Sequence, residues 1–554
     1  LRHVTIVAKP GYTEKMQNLS MLSLKKPLET KKILGVSAGF HDAALTVLHD
    51  SEIVFAAHSE RYSKKKNDST ICEALQRAAL EYGPFDEIVY YEKPWKRQLR
   101  KLRSGEPWGG NWLLMSELKD TIPLIMNSHQ KKVSTKLLQE SFDLFVNDLF
   151  KPVSSVGHHL AHAAAGFQTS PFKQAAVVVI DAIGEMDTIS IYKADYGTTP
   201  SYMGCKQRKK ARYKRVYRQT YPHSIGMFYS AVTKRVGLRP MDEEYITMGM
   251  AAYGTGSKAI GTLIDNLVHD IPTATFSRNM HVGIDDLEFA SDVDKMDIAA
   301  AGQQLCEELI IGVMRTAREL TGSRNLVYMG GVALNCVANS QLGDIFDRVW
   351  IMPNPGDAGS SLGAAALAYG SKLNWTTPFL GTNIGGEYPV EQLIKQLKTK
   401  KIVGVASGRA EFGPRALGNR SLLADPRGKK IKDRVNEIKR RQKFRPFAPV
   451  ILEEHVHDYF DMPKNQPTSR YMQVVAKVKH PQKFPAITHV DCTARVQTVP
   501  ADDSGIRKLL EEWYAQTGCP MLLNTSLNIR GEPMVDTRYD ADRFEKQYGV
   551  KVCS

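Results

Sequence analysis

His158 and His162 in GHHLAHAAAGF stand four residues apart, so a helix would project both imidazoles from one face, as a pair of metal ligands requires. A bare H-x-x-x-H is as readily two ordinary histidines near a helix start. Two carboxylates at glycine-rich turns shift the balance: Asp181 ends the apolar run VVVID, and Asp357 sits in PNPGDAGSS. Strand ends in α/β sheets are where ligands and metals collect. Two imidazoles with two carboxylates form a mixed nitrogen and oxygen set suited to iron(II), zinc or manganese.

Three glycine turns accompany that set, SAGFH (Ser37–His41), DAIGE (Asp181–Glu185) and GGVALN (Gly330–Asn335), with Gly356–Ser361 as a fourth. Glycine lets backbone N–H groups approach phosphate or nucleotide oxygens closely, which makes Gly39, Gly184, Gly330 and Gly331 nucleotide-binding candidates. One such turn is commonly only a tight turn. Three in order describe a duplicated nucleotide-binding core of the actin and sugar-kinase type.

The elements that must hold these residues read as α/β. Apolar runs Ile33–Val36 and Ala43–Leu48 break at Gly39, and Glu52 lies in a turn before Ile53–Ala57, a strand meander. Residues 71–82 and 135–150 read as amphipathic helices, separated by a basic, Trp-bearing stretch of weaker pattern. Residues 175–194 read as strand, glycine turn and strand. Asp297–Leu320 is the best helix, with Ile298, Leu305, Leu309, Val313, Ala317 and Leu320 on one stripe and Gly322 after it. Residues 325–342 read strand, turn and helix, and the small residues of Gly356–Ala368 predict a helix packed closely on its neighbours. A polar, Pro-ended stretch predicts a boundary at 374–379, between a unit over 33–373 and a second α/β unit over 380–554. Residues 1–32 show no periodicity, open on Leu1, and read as a leader.

Composition narrows the class. The chain has 554 residues, 42% hydrophobic and 24% charged, values of a globular protein of several units and not of a disordered or fibrous one. It holds no eighteen-residue apolar run and predicts no membrane span. Seven scattered cysteines without a C-x-x-C pair argue against a disulfide framework and fit a cytoplasmic protein. The net charge of +15 favours polyanions or anionic small substrates.

ILGVSAGFHDAAL, HHLAHAAAGF, VVIDAIGEMDT, EEYITMGMAAYG, GGVALNCVAN and PGDAGSSLGAA fall in the order seen in O-carbamoyltransferases of the nodulation and antibiotic-tailoring type. EFGPRALGNRSLLADPR, NEIKRRQKFRPFAPV, TARVQTV and LLNTSLNIRGEPMV resemble that family's C-terminal part, so the resemblance runs from about Ile33 to Val535. It implies a TsaD-like domain of the actin and sugar-kinase class followed by a YrdC-like domain. The YrdC-like domain would join carbamoyl phosphate to ATP, giving carbamoyl-adenylate, and the TsaD-like domain would pass the carbamoyl group to a hydroxyl. By this resemblance His158, His162, Asp181 and Asp357 hold a divalent metal, with iron(II) expected, and magnesium accompanies ATP. Gly330, Gly331 and Asn335 match the adenosine-side loop. Lys439, Arg445, Arg495 and Ser526 match the carbamoyl phosphate site, with Arg415 beside them.

The residue types suit those roles. Arg415, Arg420, Lys439, Arg445 and Arg495 would surround a dianionic phosphate, and Asn524, Ser526 and Asn528 add neutral donors. A basic run such as 427–445 also reads as a solvated helix face, although the apolar neighbours of Arg415 and Arg445 fit that poorly. His41 in GFHDAA could deprotonate an acceptor hydroxyl or merely bond a turn. Glu244 is a weaker candidate of that kind; the family commonly carries Lys two residues later, where this chain has Ile246.

Two acceptor classes stay open. KQRKKARYKRVYR (206–218) and KPWKRQLRKLR (93–103), with Trp108 and Trp112 downstream, interleave cations with aromatics as phosphate neutralisation and base stacking would. They also read as charged edge elements. The nucleic-acid reading leads to DNA carrying a hydroxymethylated base such as 5-hydroxymethylcytosine. The other leads to a small alcohol, a sugar or antibiotic. A non-catalytic nucleic-acid-binding protein on an inactive scaffold is a third reading, and a homodimer is compatible with all three.

Overall fold

The computed structural model describes residues 30–104, 113–128, 153–198 and 209–554. Most of the leader at 1–32, the helix read at 135–150, Trp108, Trp112, Lys206 and Arg208 lie outside the described residues.

Two five-stranded sheets share one topology. In the first, β1 (Lys32–Ser37), β2 (Ala44–His49) and β3 (Glu52–His58) form the antiparallel meander, and β4 (Glu87–Tyr90) and β5 (Val153–Ser155) add in parallel, giving the order β3-β2-β1-β4-β5. Glu52 opens β3, not the turn. In the second, β6 (Gln174–Gly184), β7 (Asp187–Thr198) and β8 (Lys209–Thr220) are antiparallel, and β9 (Asn325–Met329) and β10 (Arg348–Trp350) run parallel to β6. The order β10-β9-β6-β7-β8 repeats the first, so the duplication expected from the glycine turns is present as a repeated sheet. Central β1 and β6 are buried along almost their whole length, which is why both read as continuous apolar runs. Strand β8 is an edge whose Lys209, Lys210, Arg212, Lys214, Arg215 and Arg218 are exposed, a common guard against edge-to-edge pairing.

Helix α1 (Glu73–Leu80) lies inside the span read at 71–82. The basic stretch after it is itself helical. Helix α2 (Pro94–Ser104) buries Arg97, Gln98 and Arg100 while exposing Trp95, Leu99 and Leu102, an inversion that hides it from an apolar-stripe reading. Helices α3 (Leu114–Thr121), α4 (His158–Thr169), α5 (Ile225–Arg235) and α6 (Glu244–Ala251) follow. Helix α7 (Lys295–Thr321) is capped by Asp294 and stopped by Gly322; Leu320 is 47% exposed because Thr321, one turn after buried Ala317, takes the core-facing position instead. Helix α8 (Ser360–Tyr369) stands after β10 as α4 stands after β5, and the two pack face to face: a Cβ on Gly363 would lie 1.8 Å from the Ala161 carbonyl oxygen.

A separate core draws only on residues from Leu393 to Cys553. Its six-stranded sheet, order β14-β13-β15-β12-β11-β16, comprises β11 (Ile402–Ala406), β12 (Arg420–Ala424), β13 (Ala448–Leu452), β14 (Gln497–Val499), β15 (Met521–Ser526) and β16 (Val552–Cys553). The stretch at 374–379 is tied to both halves of the chain at its start: Asn374 N–H donates to the Ser51 carbonyl, and Trp375 Nε1 to Tyr471 Oη at 3.0 Å. Among the described residues no helix is long and apolar enough to cross a membrane.

Candidate metal centre and anion pocket

Helix α4 presents His158 and His162 one turn apart, and its own close packing on α8 sets their depth. Strand β6 delivers Asp181 from one side and the turn before α8 delivers Asp357 from the other. One ligand atom from each of the four residues falls within 4.8 Å of the others, and all four side chains are buried. The two Nε2 atoms are 3.1 Å apart; Asp181 Oδ2 lies 3.2 Å from His158 and Asp357 Oδ1 3.3 Å from His162. His159, beside them in sequence, turns away to Ser190 Oγ.

Surrounding bonds orient the donors. His162 Nδ1 sits 3.1 Å from the Pro355 carbonyl, so that nitrogen carries the proton and the Nε2 lone pair faces the cluster. Asp181 Oδ1 accepts from the backbone N–H groups of Ala182 and Gly331, leaving Oδ2 for the centre. His158 Nδ1 is buried without a hydrogen bond, and Glu92 Oε2 stands 3.8 Å from it. Glu92 is held by Arg97 at 2.7 Å, and Arg97 by Glu117 at 2.9 Å. A buried row, Glu117–Arg97–Glu92–His158, thus runs from α2 and α3 to the cluster, and the chemistry of this donor set fits a divalent cation. Burial disfavours the charged imidazoles, but the Asp357 and Asp181 carboxylates outweigh it and hold His158 well above its usual value.

His41 stands at the rim. Its Nδ1 is 3.0 Å from Asp42 Oδ2, its Nε2 is 3.7 Å from Asp357 Oδ2, and 28% of its side chain is exposed. Asp42, the adjacent residue, is an orienting partner that the spacing did not single out.

Two of the glycine turns have an amide committed within the fold. Gly39 N–H donates to Ser69, and Gly330 N–H to Pro355, so neither amide is open to a ligand. Gly330 has φ +93° and abuts the Ile180 carbonyl; a Cβ on Gly184 would lie 2.3 Å from the His158 ring. These glycines let backbone and imidazole close around the cluster. Asn335 accepts from Ala338 N–H and donates to Gln303, starting a short helix. Glu244 accepts from Met241 N–H and Ser230 Oγ, fixing the start of α6 on α5.

In the second half, Arg415, Arg445 and Arg495 converge without a carboxylate partner among the described residues; Arg495 Nε is buried with no hydrogen bond. Burial, then repulsion from Arg495, pushes Arg415 down to about 9. Lys439 adjoins them, donating to the Ser526 and Asn528 carbonyls and to Asn528 Oδ1, and burial with Arg441 and Arg445 nearby holds its ammonium well below the usual lysine value. A narrow cleft is lined both by Pro355, two residues before Asp357, and by Arg415.

Two residues expected there are structural. Arg420 is fully buried and donates to five backbone carbonyls, those of Asp536, Ser407, Asn419, Thr382 and Gly408, which accounts for every guanidinium N–H. Asn524 gives its amide to Ala416 and Gln497 inside the sheet. The basic runs are also partly paired: Arg97 belongs to the buried row, Lys96 pairs with Glu185, and the exposed Arg212 pairs with Asp195 and Arg215 and Arg218 with Asp187.

Comparison with known proteins places this geometry. Nodulation protein NolNO of Sinorhizobium fredii is 31% identical over 90% of this chain and 76% of its own length. An uncharacterized protein of Synechocystis is 33% identical over 92% of this chain and 93% of its own. Among solved structures, HypF of T. kodakarensis aligns over 62% of this chain and 48% of its own at 14% identity, with a TM-score of 0.34, too loose an overlay to carry an argument. Family models named for the carbamoyltransferase N-terminus and C-terminus match residues 32–366 and 394–553, spans that take in the four-ligand cluster and the arginine pocket respectively. The chain therefore belongs to the carbamoyltransferase family and is a carbamoyl-transferring enzyme.

Proposed function

We propose an ATP-dependent O-carbamoyltransferase in which the unit at 380–554 activates carbamoyl phosphate and the unit at 33–373 transfers the carbamoyl group, with 374–379 joining them. The observation that carries this reading is the pairing of a carboxylate-free arginine pocket with a buried two-histidine, two-aspartate cluster that has a partly exposed histidine at its rim. In the pocket, planar guanidinium forks suit phosphate oxygens. Activation takes up one water and releases inorganic phosphate from carbamoyl phosphate and pyrophosphate from ATP, leaving carbamoyl-adenylate.

In the transfer step the acceptor oxygen attacks the carbonyl carbon, the new C–O bond forms, and the bond from that carbon to the AMP phosphate oxygen breaks. His41 Nε2 takes the hydroxyl proton in its neutral form, a minority species near neutral pH because, against burial, Asp357 and Asp42 raise the imidazole to about 9, with Asp42 fixing Nδ1–H on the far side of the ring. His158, His162, Asp181 and Asp357 would hold a divalent metal, iron(II) by the family resemblance, which would supply Lewis-acid stabilisation of phosphate charge. Magnesium would accompany ATP.

One supporting observation for a small-molecule alcohol as acceptor is that five cations of the two basic runs are paired with carboxylates. The exposed Lys209, Lys210 and Lys214 on edge strand β8 support the second reading, DNA carrying a hydroxymethylated base. Protein, ATP, carbamoyl phosphate, magnesium and iron(II) are incubated with hydroxymethylcytosine DNA or with sugar alcohols, and the products are analysed by mass spectrometry. Carbamoylated alcohol with unmodified DNA supports the first acceptor; a carbamoylated nucleoside supports the second. Absence of pyrophosphate release in every mixture would overturn the activation step.

A further inference from the structure

The arginine pocket is not built from the second half alone. Helix α6, from the first half, is docked on the loop that carries Arg441 and Arg445. Glu243, just before the helix, accepts from Arg530 at 2.8 Å, and Tyr253, just after it, donates to the Phe444 carbonyl at 3.1 Å. Between these anchors Tyr245 reaches the arginines. The Arg445 guanidinium lies 4.8 Å from its ring centroid, and Lys66 Nζ lies 5.7 Å from the same centroid. Arg415, Arg441 and Arg445 all lie close enough to Tyr245 to interact with it electrostatically. Ile246 beside it is 1% exposed and faces the core, so Tyr245 is the neighbour on this turn that presents a polar group to the arginines.

A long cation without a carboxylate partner has many rotamers open to it, and like charges nearby drive it apart. An aromatic face is a way to seat such a guanidinium while leaving its N–H groups free for an anion. We propose that Tyr245 is a substrate-positioning residue of the anion pocket: its ring seats Arg445 and its hydroxyl stands among the arginines, so the phosphate-bearing substrate is gripped in full only when both halves of the chain are docked. This rests on the reading of the pocket as a phosphate site.

The test is carbamoyl-phosphate-dependent pyrophosphate release from ATP, without acceptor, in wild type, Tyr245→Phe and Tyr245→Ala. Loss of the ring should raise KM for carbamoyl phosphate on the order of tenfold in Tyr245→Ala, with kcat within about threefold, while Tyr245→Phe recovers most of the KM. An unchanged KM in a folded Tyr245→Ala variant would overturn the proposal, as would an equal KM rise in Tyr245→Phe. If Tyr245→Ala melts early, Tyr245→Leu fills the space without a π face and carries the same expectation. If the wild type releases no pyrophosphate, the activation reading fails, and calorimetric titration with inorganic phosphate then decides Tyr245 alone. Weaker binding to Tyr245→Ala than to wild type supports its role, and equal binding refutes it.

Discussion

Replacing Arg420 separates a structural arginine from a substrate-binding one. Its guanidinium is fully buried and bonds five carbonyls at 2.8–3.2 Å, joining β12 to the turn at 407–408, to Thr382 and to Asp536. Arg420→Met fills similar space but leaves those carbonyls short of a donor. At about 1 kcal/mol for each lost bond, the cost is about 5 kcal/mol. Domains are stable by about 5–15 kcal/mol, so the second unit should unfold about 10–20 °C earlier. Lysine, with three donors, should recover part of the loss. Calorimetric melting gives the stability, and pyrophosphate release measured below the new transition gives KM for carbamoyl phosphate. The expected result is a large drop in melting temperature with KM within about twofold. A variant that melts like wild type but has a tenfold higher KM would refute this assignment and return Arg420 to the substrate.

Glu92→Gln should weaken metal binding by about 10–100-fold, read by competition with a coloured chelator, because it removes the carboxylate facing His158 Nδ1. Gly363→Ala should cost about 1–3 kcal/mol and lower metal affinity as well, since its methyl would push α8 off the Ala161 carbonyl and shift the helix carrying both histidines; equal metal affinity at lower stability would uncouple the two. Burial works against charging His41, yet Asp357 and Asp42 raise it from 6.5 to about 9. A group raised by folding stabilises fully below its unfolded value and loses that contribution as pH climbs through the folded one. Metal-stripped protein should therefore lose stability between about pH 6.5 and about pH 9, and His41→Gln should flatten that slope in melting curves. Metal affinity should rise with pH, because the imidazole ligands must be unprotonated and, against burial, the Asp357 and Asp181 carboxylates hold His158 above its usual value, and calorimetry in buffers of different ionisation enthalpy should register proton release.

What was legible in the chain was whatever has a local signature. Period-two and continuous apolar runs located β1, β2, β6 and β9, and the small residues of 356–368 announced the tight α4–α8 contact, since only small side chains let backbones approach so closely. The four cluster ligands were legible because each ends a run or shares a helical face. Helix α2 was not, because its buried face is made of Arg97, Gln98 and Arg100, whose partners Glu92 and Glu117 come from outside it.

The repeated glycine turns showed that the backbone must come close to something, and the tertiary structure identified one close neighbour of each of two turns, Ile180 at Gly330 and His158 at Gly184. A row of arginines in sequence likewise says only that positive charge is present. Whether it is neutralised depends on acceptors far along the chain. Arg420 meets carbonyls from Thr382 to Asp536, while Arg415, Arg445 and Arg495 meet no carboxylate among the described residues and are left for an anion. Residue type and spacing determined the family, through its motifs, and pointed to the repeated sheet and the candidate metal cluster, through local periodicity and fixed helical geometry. Only folding decided which cations are structural and that Tyr245 joins their pocket, because hydrogen-bond saturation and desolvation are set by what the rest of the chain brings within about 3 Å.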